Sequence, residues 1–416
     1  MKDRRFSPSI RPIIKVPHAP IWVPGVIPVT TMVVGRGTVS TKIKGEYHKK
    51  KPSRFTEYFR PLVFWNITYQ CNLKCLHCYI RAKAQQDPTE LTTEEARRLS
   101  EEMVQMRIPL VILSGGEPLI RKDFWEIIEP MAKAQFPKLS LSTNGTMITK
   151  DVAQKLKDYG FDYVGISIDS IVPQYHDKFR GVPGAFKLTL DGIKNSLEAG
   201  LDVGIRTTIT KYNVKEVPDI VKWSAEQGIK RVSFYLLDTI GRGEDIKDWL
   251  PTPEQLKWMA DTVIDLAREY ADKLEILIVR GNFMGIYIAK KLAKDEEDFK
   301  EYLNMLQAQG DCGRKSISIY PNGDVKPCQF IDWVTLGNVR EKSLREILRK
   351  DNPDLQPFLN IAKNLRGKCG RCPFKEVCGG GSRGRAWALT GDPWGEDPLC
   401  FIEPEEFQSL VQATAQ

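Results

Sequence analysis

The stretch "NITYQCNLKCLHCYI" places Cys71, Cys75 and Cys78 within eight positions, at the spacing C-x3-C-x2-C. Cysteine thiolates are the usual protein ligands of iron–sulfur clusters. Three of them hold three irons of a four-iron cluster and leave the fourth without a protein ligand. An open coordination position makes a metal site reactive rather than structural. Zinc is the competing reading. It takes four ligands, and His77 would have to supply the fourth, but two zinc-ligand spacings rarely nest in this way.

The other six cysteines fall late in the chain. "GKCGRCPFKEVCGGG" carries Cys369, Cys372 and Cys378 at C-x2-C-x5-C, and "DPLC" adds Cys400. Four thiols close a cluster, and they equally suit structural zinc. Cys312 and Cys328 stand in "DCGRKSISIYPNGDVKPC". Two thiols cannot close a four-cysteine site. Either a non-cysteine or substrate ligand completes a second cluster there, or the pair is buried beside a hairpin.

The elements that must position these residues follow from hydrophobic periodicity. "PLVFWNIT" reads as a strand that runs directly into the cysteine trio. "TTEEARRLSEEMVQM" reads as a helix, with Thr92 and Glu95 as its capping box and Ala96, Leu99, Met103 and Met106 as its apolar stripe. Strands are expected at "LVILS", "KLSLSTNG", "DYVGISID", "LDVGIRTTIT" and "KRVSFYLLD", with helices between them. Thr149 and Gly160 mark the start and stop of one such helix. Six strand–helix units imply parallel pairing by right-handed crossovers. The expected fold is α/β, a partial (β/α)6 barrel of the TIM type, with function at the carboxyl ends of the strands. Four regions are expected: an irregular basic arm at 1–61, the partial barrel at 62–240, a helical connector at 241–311 and a cysteine-rich iron–sulfur domain at 312–416. "KLEILIV" in the connector is a candidate for one more strand.

The trio resembles the signature of the radical S-adenosylmethionine (SAM) superfamily, and the resemblance extends over roughly residues 62–240. "SGGEPL" puts Gly115, Gly116, Glu117 and Pro118 in the place of that family's GGEP motif, which binds the SAM amino group. In "LSTNG", Ser142 and Asn144 fall where relatives contact SAM. In "ISIDS", Ser167 and Asp169 would face the ribose, and Arg180 in "HDKFRG" would neutralise the methionine carboxylate or make an ordinary ion pair. The resemblance implies a [4Fe-4S] cluster at the trio, one-electron cleavage of SAM to a 5′-deoxyadenosyl radical, and hydrogen abstraction from a substrate. It also implies a ferredoxin- or flavodoxin-like electron donor. The backbone of His77 is expected near the adenine, not as a ligand, and His176 is expected to be structural.

The late cysteines resemble the SPASM type of extension, which implies at least one auxiliary [4Fe-4S] cluster. Full SPASM domains carry a further cysteine soon after the position of Cys378. Here "CGGGSRGRA" has Gly381 and Ser382 in that neighbourhood, so one complete auxiliary cluster is favoured. "CGGGSRGRA", "TGD", "LGNVRE", "FRGVPGAF", "TITKYNV" and "GRGED" look like the branch that remodels siroheme-derived tetrapyrroles for heme and heme d. That branch removes acetate or propionate groups from an anionic macrocycle. Arginine suits such a substrate because guanidinium pairs with carboxylate through two hydrogen bonds. The candidates are Arg206, Arg242, Arg383 and Arg385, with Arg206 foremost because its strand should end at the cavity. Cys328 departs from the pattern of that branch and keeps a second reading open: a maturase of a peptide or protein, or of a tungsten- or quinone-cofactor enzyme.

The bulk numbers narrow the classes further. The 416 residues are 42% hydrophobic and 27% charged, with a net charge of +8. That modest excess fits an acidic substrate or partner, and no aromatic–basic platform points to nucleic acid. The apolar stretch "IWVPGVIPVTTMVV" is broken by Pro24 and Pro28 and is too short to span a membrane. With clustered cysteines and no secretory signal, the protein reads as cytoplasmic. The run "KIKGEYHKKKPSR" is either a solvated segment or a dock for an anionic partner. "VVGRGTVS" does not complete a nucleotide-binding loop.

Overall fold

Short apolar runs alternating with amphipathic segments fold into strands and helices in turn. The structure, a computed structural model, describes residues 26–34, 61–306 and 312–407. The basic run at 42–54 lies outside the described residues.

The strands are β1 (Val26–Pro28), β2 (Leu62–Asn66), β3 (Leu110–Ser114), β4 (Lys138–Thr143), β5 (Phe161–Ser167), β6 (Val203–Ile209), β7 (Arg231–Leu236), β8 (Glu275–Val279), β9 (Ser316–Ile319), β10 (Asp324–Lys326) and β11 (Gly337–Asn338). They make one sheet in the order β1-β8-β7-β6-β5-β4-β3-β2-β9-β10-β11. From β8 through β9 every neighbouring pair is parallel. The two edges do not meet, so the barrel stays partial.

The six expected strands are β2 to β7, and the parallel run is longer by one strand on each side. β8 comes from the expected connector. β9 comes from the cysteine-rich region and pairs with β2, Val63 opposite Ile317. The sheet therefore runs across the expected boundaries at 240 and 311. The expected irregular arm also contains order: β1 pairs antiparallel with β8, and the helix Val29–Val34 follows it with Val29 and Met32 buried. Such long-range pairing leaves no local signal in a proline-rich segment.

Helices form where the periodicity placed them. Thr93–Gln105 has both bonds of its capping box, Thr92 to the Glu95 amide and Glu95 back to the Thr92 amide. Its stripe of Ala96, Leu99 and Met103 is buried. Thr149 caps Lys150–Asp158, and Gly160 follows at φ 76°. The core lies between these helices and one face of the sheet, where Val63, Trp65, Val111, Leu113, Leu139, Leu141, Val164, Ile166, Ile205 and Phe234 are buried. The period of a strand sends the alternate residues to the inner face of the barrel. There Leu62, Leu110 and Ile112, with Phe64 against them, form an apolar floor at the amino ends. Toward the carboxyl ends the inner residues turn polar: Asn66, Ser114, Ser142, Ser167, Arg206 and Thr208. No described helix is long and apolar enough to cross a membrane.

Candidate active site

The cysteine trio lies in the loop that leaves β2. A bridge between Gln70 and Lys83 closes this loop, with the Cys71 N–H on the Lys83 carbonyl and the Lys83 N–H on the Tyr69 carbonyl, both at 2.8 Å. Every thiol receives a donor. The Leu73 amide lies 3.4 Å from Cys71 Sγ, the Ala82 amide 3.3 Å from Cys78 Sγ, and Arg180 Nη1 3.7 Å from Cys75 Sγ. Asn144 Nδ2 stands 3.9 Å from Cys71 Sγ. Donors aimed at sulfur favour the thiolate. Burial works the other way: it pushes Cys71 up to about 12, aided by the charge of Glu117, and also raises Cys75. A bound cation is what makes such buried thiols ionise. Among the described residues, no three or more histidine, cysteine or acidic side chains gather on a single ion. The donor set fits a multi-iron body with a thiolate at each of three corners.

The "SGGEPL" turn leaves β3 and lies against the same loop. The Gly116 N–H bonds the Thr68 carbonyl and the Glu117 N–H bonds the Gln70 carbonyl, both at 2.8 Å. A β-carbon on Gly115 would sit 2.5 Å from the Thr68 oxygen, and one on Gly116 2.1 Å from the Gln70 oxygen. The glycines are required because two backbones touch here. The Glu117 side chain turns inward and is fully buried. It accepts from the Asn144 amide at 2.9 Å, the Thr143 hydroxyl at 2.8 Å and the Leu119 amide at 3.2 Å. It therefore ties the carboxyl end of β4 to the turn after β3. Burial raises its carboxyl to about 7 against the pull of those donors.

Asn144 reaches the cluster loop through Asn72 Oδ1 at 2.9 Å. Ser142 accepts a hydrogen bond from Arg206. Ser167 ends β5 directly across from Arg206. Asp169 differs from the expectation of a ribose partner: it is fully buried, pairs with Arg180 at 2.6 Å and accepts from the Thr208 amide at 2.8 Å. Burial raises the Asp169 carboxyl while Arg180 draws it down. Arg180 thus spans from Asp169 to Cys75. His176 is structural, as expected: its Nδ1 accepts from the Asp169 amide at 3.3 Å.

Arg242, expected as a candidate for a substrate carboxylate, is engaged by backbone. Its Nε bonds the Cys75 carbonyl at 2.8 Å and its Nη1 the Ala82 carbonyl at 2.9 Å, so it clamps the cluster loop. Gly241 and Gly243 lie against the same loop, where a β-carbon on Gly241 would come within 2.5 Å of the Cys78 carbonyl. His77 stacks on Phe179 at 4.4 Å.

The radical SAM superfamily model matches residues 65–224, and the model of the SPASM iron–sulfur cluster-binding domain matches 311–373. A relative from Methanosarcina barkeri, Fe-coproporphyrin III synthase, is 36% identical over 375 residues, 87% of this chain and 94% of its own length. The chain belongs to the radical SAM superfamily. Pre-heme d1 synthase of Dinoroseobacter shibae is 34% identical over 86% of this chain and 91% of its own length. Mycofactocin maturase MftC of Mycolicibacterium smegmatis is 30% identical over 81% of each chain. The solved structure of native anSMEcpe with bound AdoMet shares the fold at a TM-score of 0.64 and 19% identity, covering 85% of this chain and 98% of that one. The protein is a radical SAM enzyme that uses SAM, a [4Fe-4S] cluster and auxiliary iron–sulfur binding, with relatives in heme biosynthesis.

In this radical SAM chain the second cysteine set is brought together. Burial raises Cys378, and Cys400, Cys369 and Cys372 stand close enough to raise it further. Burial also pushes Cys400 up to about 12. The four thiols suit one auxiliary cluster by the same donor chemistry as the trio. Cys312 and Cys328 are buried in one small apolar cluster with Cys369, and they share one guanidinium: Arg280 Nη1 lies 3.8 Å from one sulfur and 3.7 Å from the other. Arg280 also bonds Asp238 at 3.1 Å and Ser382 at 2.8 Å. Arg383 and Arg385, expected as candidates for a substrate carboxylate, are structural. Arg385 pairs with Asp397 at 2.7 Å, both fully buried. Arg383 donates to the Pro393, Gly395 and Gly380 carbonyls. Sequence reasoning missed Arg280 and Asp238, although Asp238 stands just past the carboxyl end of β7, where functional residues gather.

Proposed function

We propose that this enzyme removes carboxylate side chains from a siroheme-derived tetrapyrrole in heme or heme d biosynthesis. One observation carries the reading: two relatives named for tetrapyrrole synthesis align with 87% and 86% of the chain. When bound, the [4Fe-4S] cluster and SAM supply one-electron cleavage and a hydrogen-abstracting radical. In this reading Cys71, Cys75 and Cys78 hold the cluster, and the Gly115–Pro118 turn offers backbone to the SAM amino group. Asn144, Ser167 and the Asp169–Arg180 pair position SAM beside it. Cys369, Cys372, Cys378 and Cys400 hold an auxiliary cluster, with a ferredoxin- or flavodoxin-like protein as electron donor. Cys312 and Cys328, which share the Arg280 guanidinium, are not counted among those four ligands.

A second reading, maturation of a peptide, has its own support in the likeness to mycofactocin maturase. One experiment separates the two. The protein is reconstituted anaerobically, reduced, and incubated with SAM and iron-bound tetrapyrroles, and chromatography follows 5′-deoxyadenosine and mass loss. Deoxyadenosine from wild type but not from Cys75→Ala, with loss of carboxylate side chains, supports the proposal. Deoxyadenosine with the macrocycle untouched favours the peptide reading. No deoxyadenosine from a loaded, reducible cluster overturns both.

A further inference from the structure

Two glycines inside neighbouring strands make room for one cation in the barrel. Gly165 of β5 pairs with Gly204 of β6. A β-carbon on Gly165 would sit 2.2 Å from Arg206 Nε, and one on Gly204 would sit 2.0 Å from the Tyr163 hydroxyl. Glycine weakens a strand interior, so its use at both positions marks space held for these two side chains. Arg206 and Tyr163 accordingly lie on the inner face, with the guanidinium carbon 5.8 Å from the phenol ring centre.

The surroundings of Arg206 are neutral. Its hydrogen-bond partners are hydroxyls, those of Ser142 and Tyr163, and Tyr235 and Tyr79 are the other ionisable groups nearby. Among the described residues no carboxylate pairs with it. The neighbouring inner-face arginine differs, since Arg231 pairs with Glu275 at 2.9 Å. Two other arginines of the site pair with carboxylates, Arg180 with Asp169 and Arg280 with Asp238, while Arg242 is tied to two carbonyls of the cluster loop. A guanidinium in a confined interior without a counter-charge is costly, and an incoming anion relieves that cost. The charge faces the inside of the barrel, beneath the strand ends that carry the cysteine trio.

We infer that Arg206 is the anchor for one carboxylate of the substrate, and so determines specificity for an acidic macrocycle. The inference rests on the tetrapyrrole reading and deepens it. Two carboxylates compete for the role, since SAM also carries one. Arg180, held by Asp169, stands 3.7 Å from Cys75 Sγ in the cluster loop, where the family resemblance sets the methionine carboxylate of SAM. Arg206 bonds Ser142, which the resemblance also sets near SAM, so SAM binding is measured beside substrate binding.

The test uses the reconstituted holoenzyme and two probes, Fe-coproporphyrin III and its tetramethyl ester, titrated optically, with SAM binding measured separately by equilibrium dialysis. Wild type should prefer the tetra-acid to the ester. Arg206→Gln should remove that preference, weakening acid binding roughly thirtyfold or more while leaving ester binding nearly unchanged. Arg206→Lys, which keeps the charge, should restore part of it. A merely structural role would weaken acid and ester alike, and that outcome overturns the inference. An unchanged acid-to-ester ratio with weakened SAM assigns the residue to SAM and also overturns it. If wild type binds the acid without preferring it to the ester, the inference fails while the tetrapyrrole reading stands. If wild type binds neither probe, the reading and the inference fall together.

Discussion

Gly116→Ala probes how closely the glycine turn must approach the cluster loop. The added β-carbon would stand 2.1 Å from the Gln70 oxygen and 2.6 Å from its carbonyl carbon. Tight carbon–oxygen contacts lie at about 3.3 Å, so one backbone must retreat by about 1 Å. That retreat stretches two bonds, Gly116 N–H to Thr68 and Glu117 N–H to Gln70, from 2.8 Å to beyond hydrogen-bonding range. Two such bonds at about 1 kcal/mol each, with about 1–3 kcal/mol for overpacking, amount to roughly 3–5 kcal/mol. Gly160→Ala is the matched control: its φ is +76° and nothing lies within 4 Å of an added β-carbon. It should lose only the left-handed backbone term, about 1–2 kcal/mol. Denaturant midpoints of the two metal-free variants measure the difference, and SAM binding to the reconstituted Gly116→Ala protein should fall at least about tenfold with the displaced turn. Equal losses in the two variants would refute the close-approach argument.

Three further outcomes are expected. Arg385→Met strands the buried Asp397 carboxylate and should lower stability by about 3–5 kcal/mol; adding Asp397→Leu should recover part of that, and a double variant no better than the single would count against a charge-driven loss. Cys372→Ala should remove about four irons per chain while the electron paramagnetic signal of the trio's cluster persists; iron content equal to wild type would show that Cys372 holds no cluster. Glu117 holds its proton up to about pH 7 in the fold but releases it near its ordinary 4.5 when unfolded. Stability of the metal-free chain should therefore fall as pH rises from about 4.5 through 7, by roughly 3 kcal/mol, and then level off. Glu117→Gln should flatten that slope, and an unaltered slope would contradict the assignment.

The trio, the glycine turn and the β2 to β7 alternation were legible because each is written locally, in fixed spacing or hydrophobic period. The donors to the cluster loop were not. Arg180 reaches the Cys75 sulfur from 105 positions away and Arg242 the Cys75 carbonyl from 167, and nothing in "GRGED" says that its arginine clamps a carbonyl rather than a ligand. Arg383 and Arg385 misled for a related reason. A guanidinium in a glycine- and cysteine-rich loop looks available until Asp397, fully buried beside it, shows where the charge is neutralised. A hairpin beside Cys312 and Cys328 was expected, but strand β1 and the pairing of β9 with β2 were illegible because each depends on a strand distant in the chain.

The pairing of β9 with β2 has a practical consequence. In the intact chain β2, which feeds the cysteine trio, is an interior strand. A chain cut before residue 312 would strip β9 away and leave the amides and carbonyls of Leu62–Asn66 as an open border beside the cluster loop. Such a border is a template for pairing with another molecule. Excising the radical SAM portion alone should therefore yield a sticky, oligomerising fragment rather than a minimal catalyst.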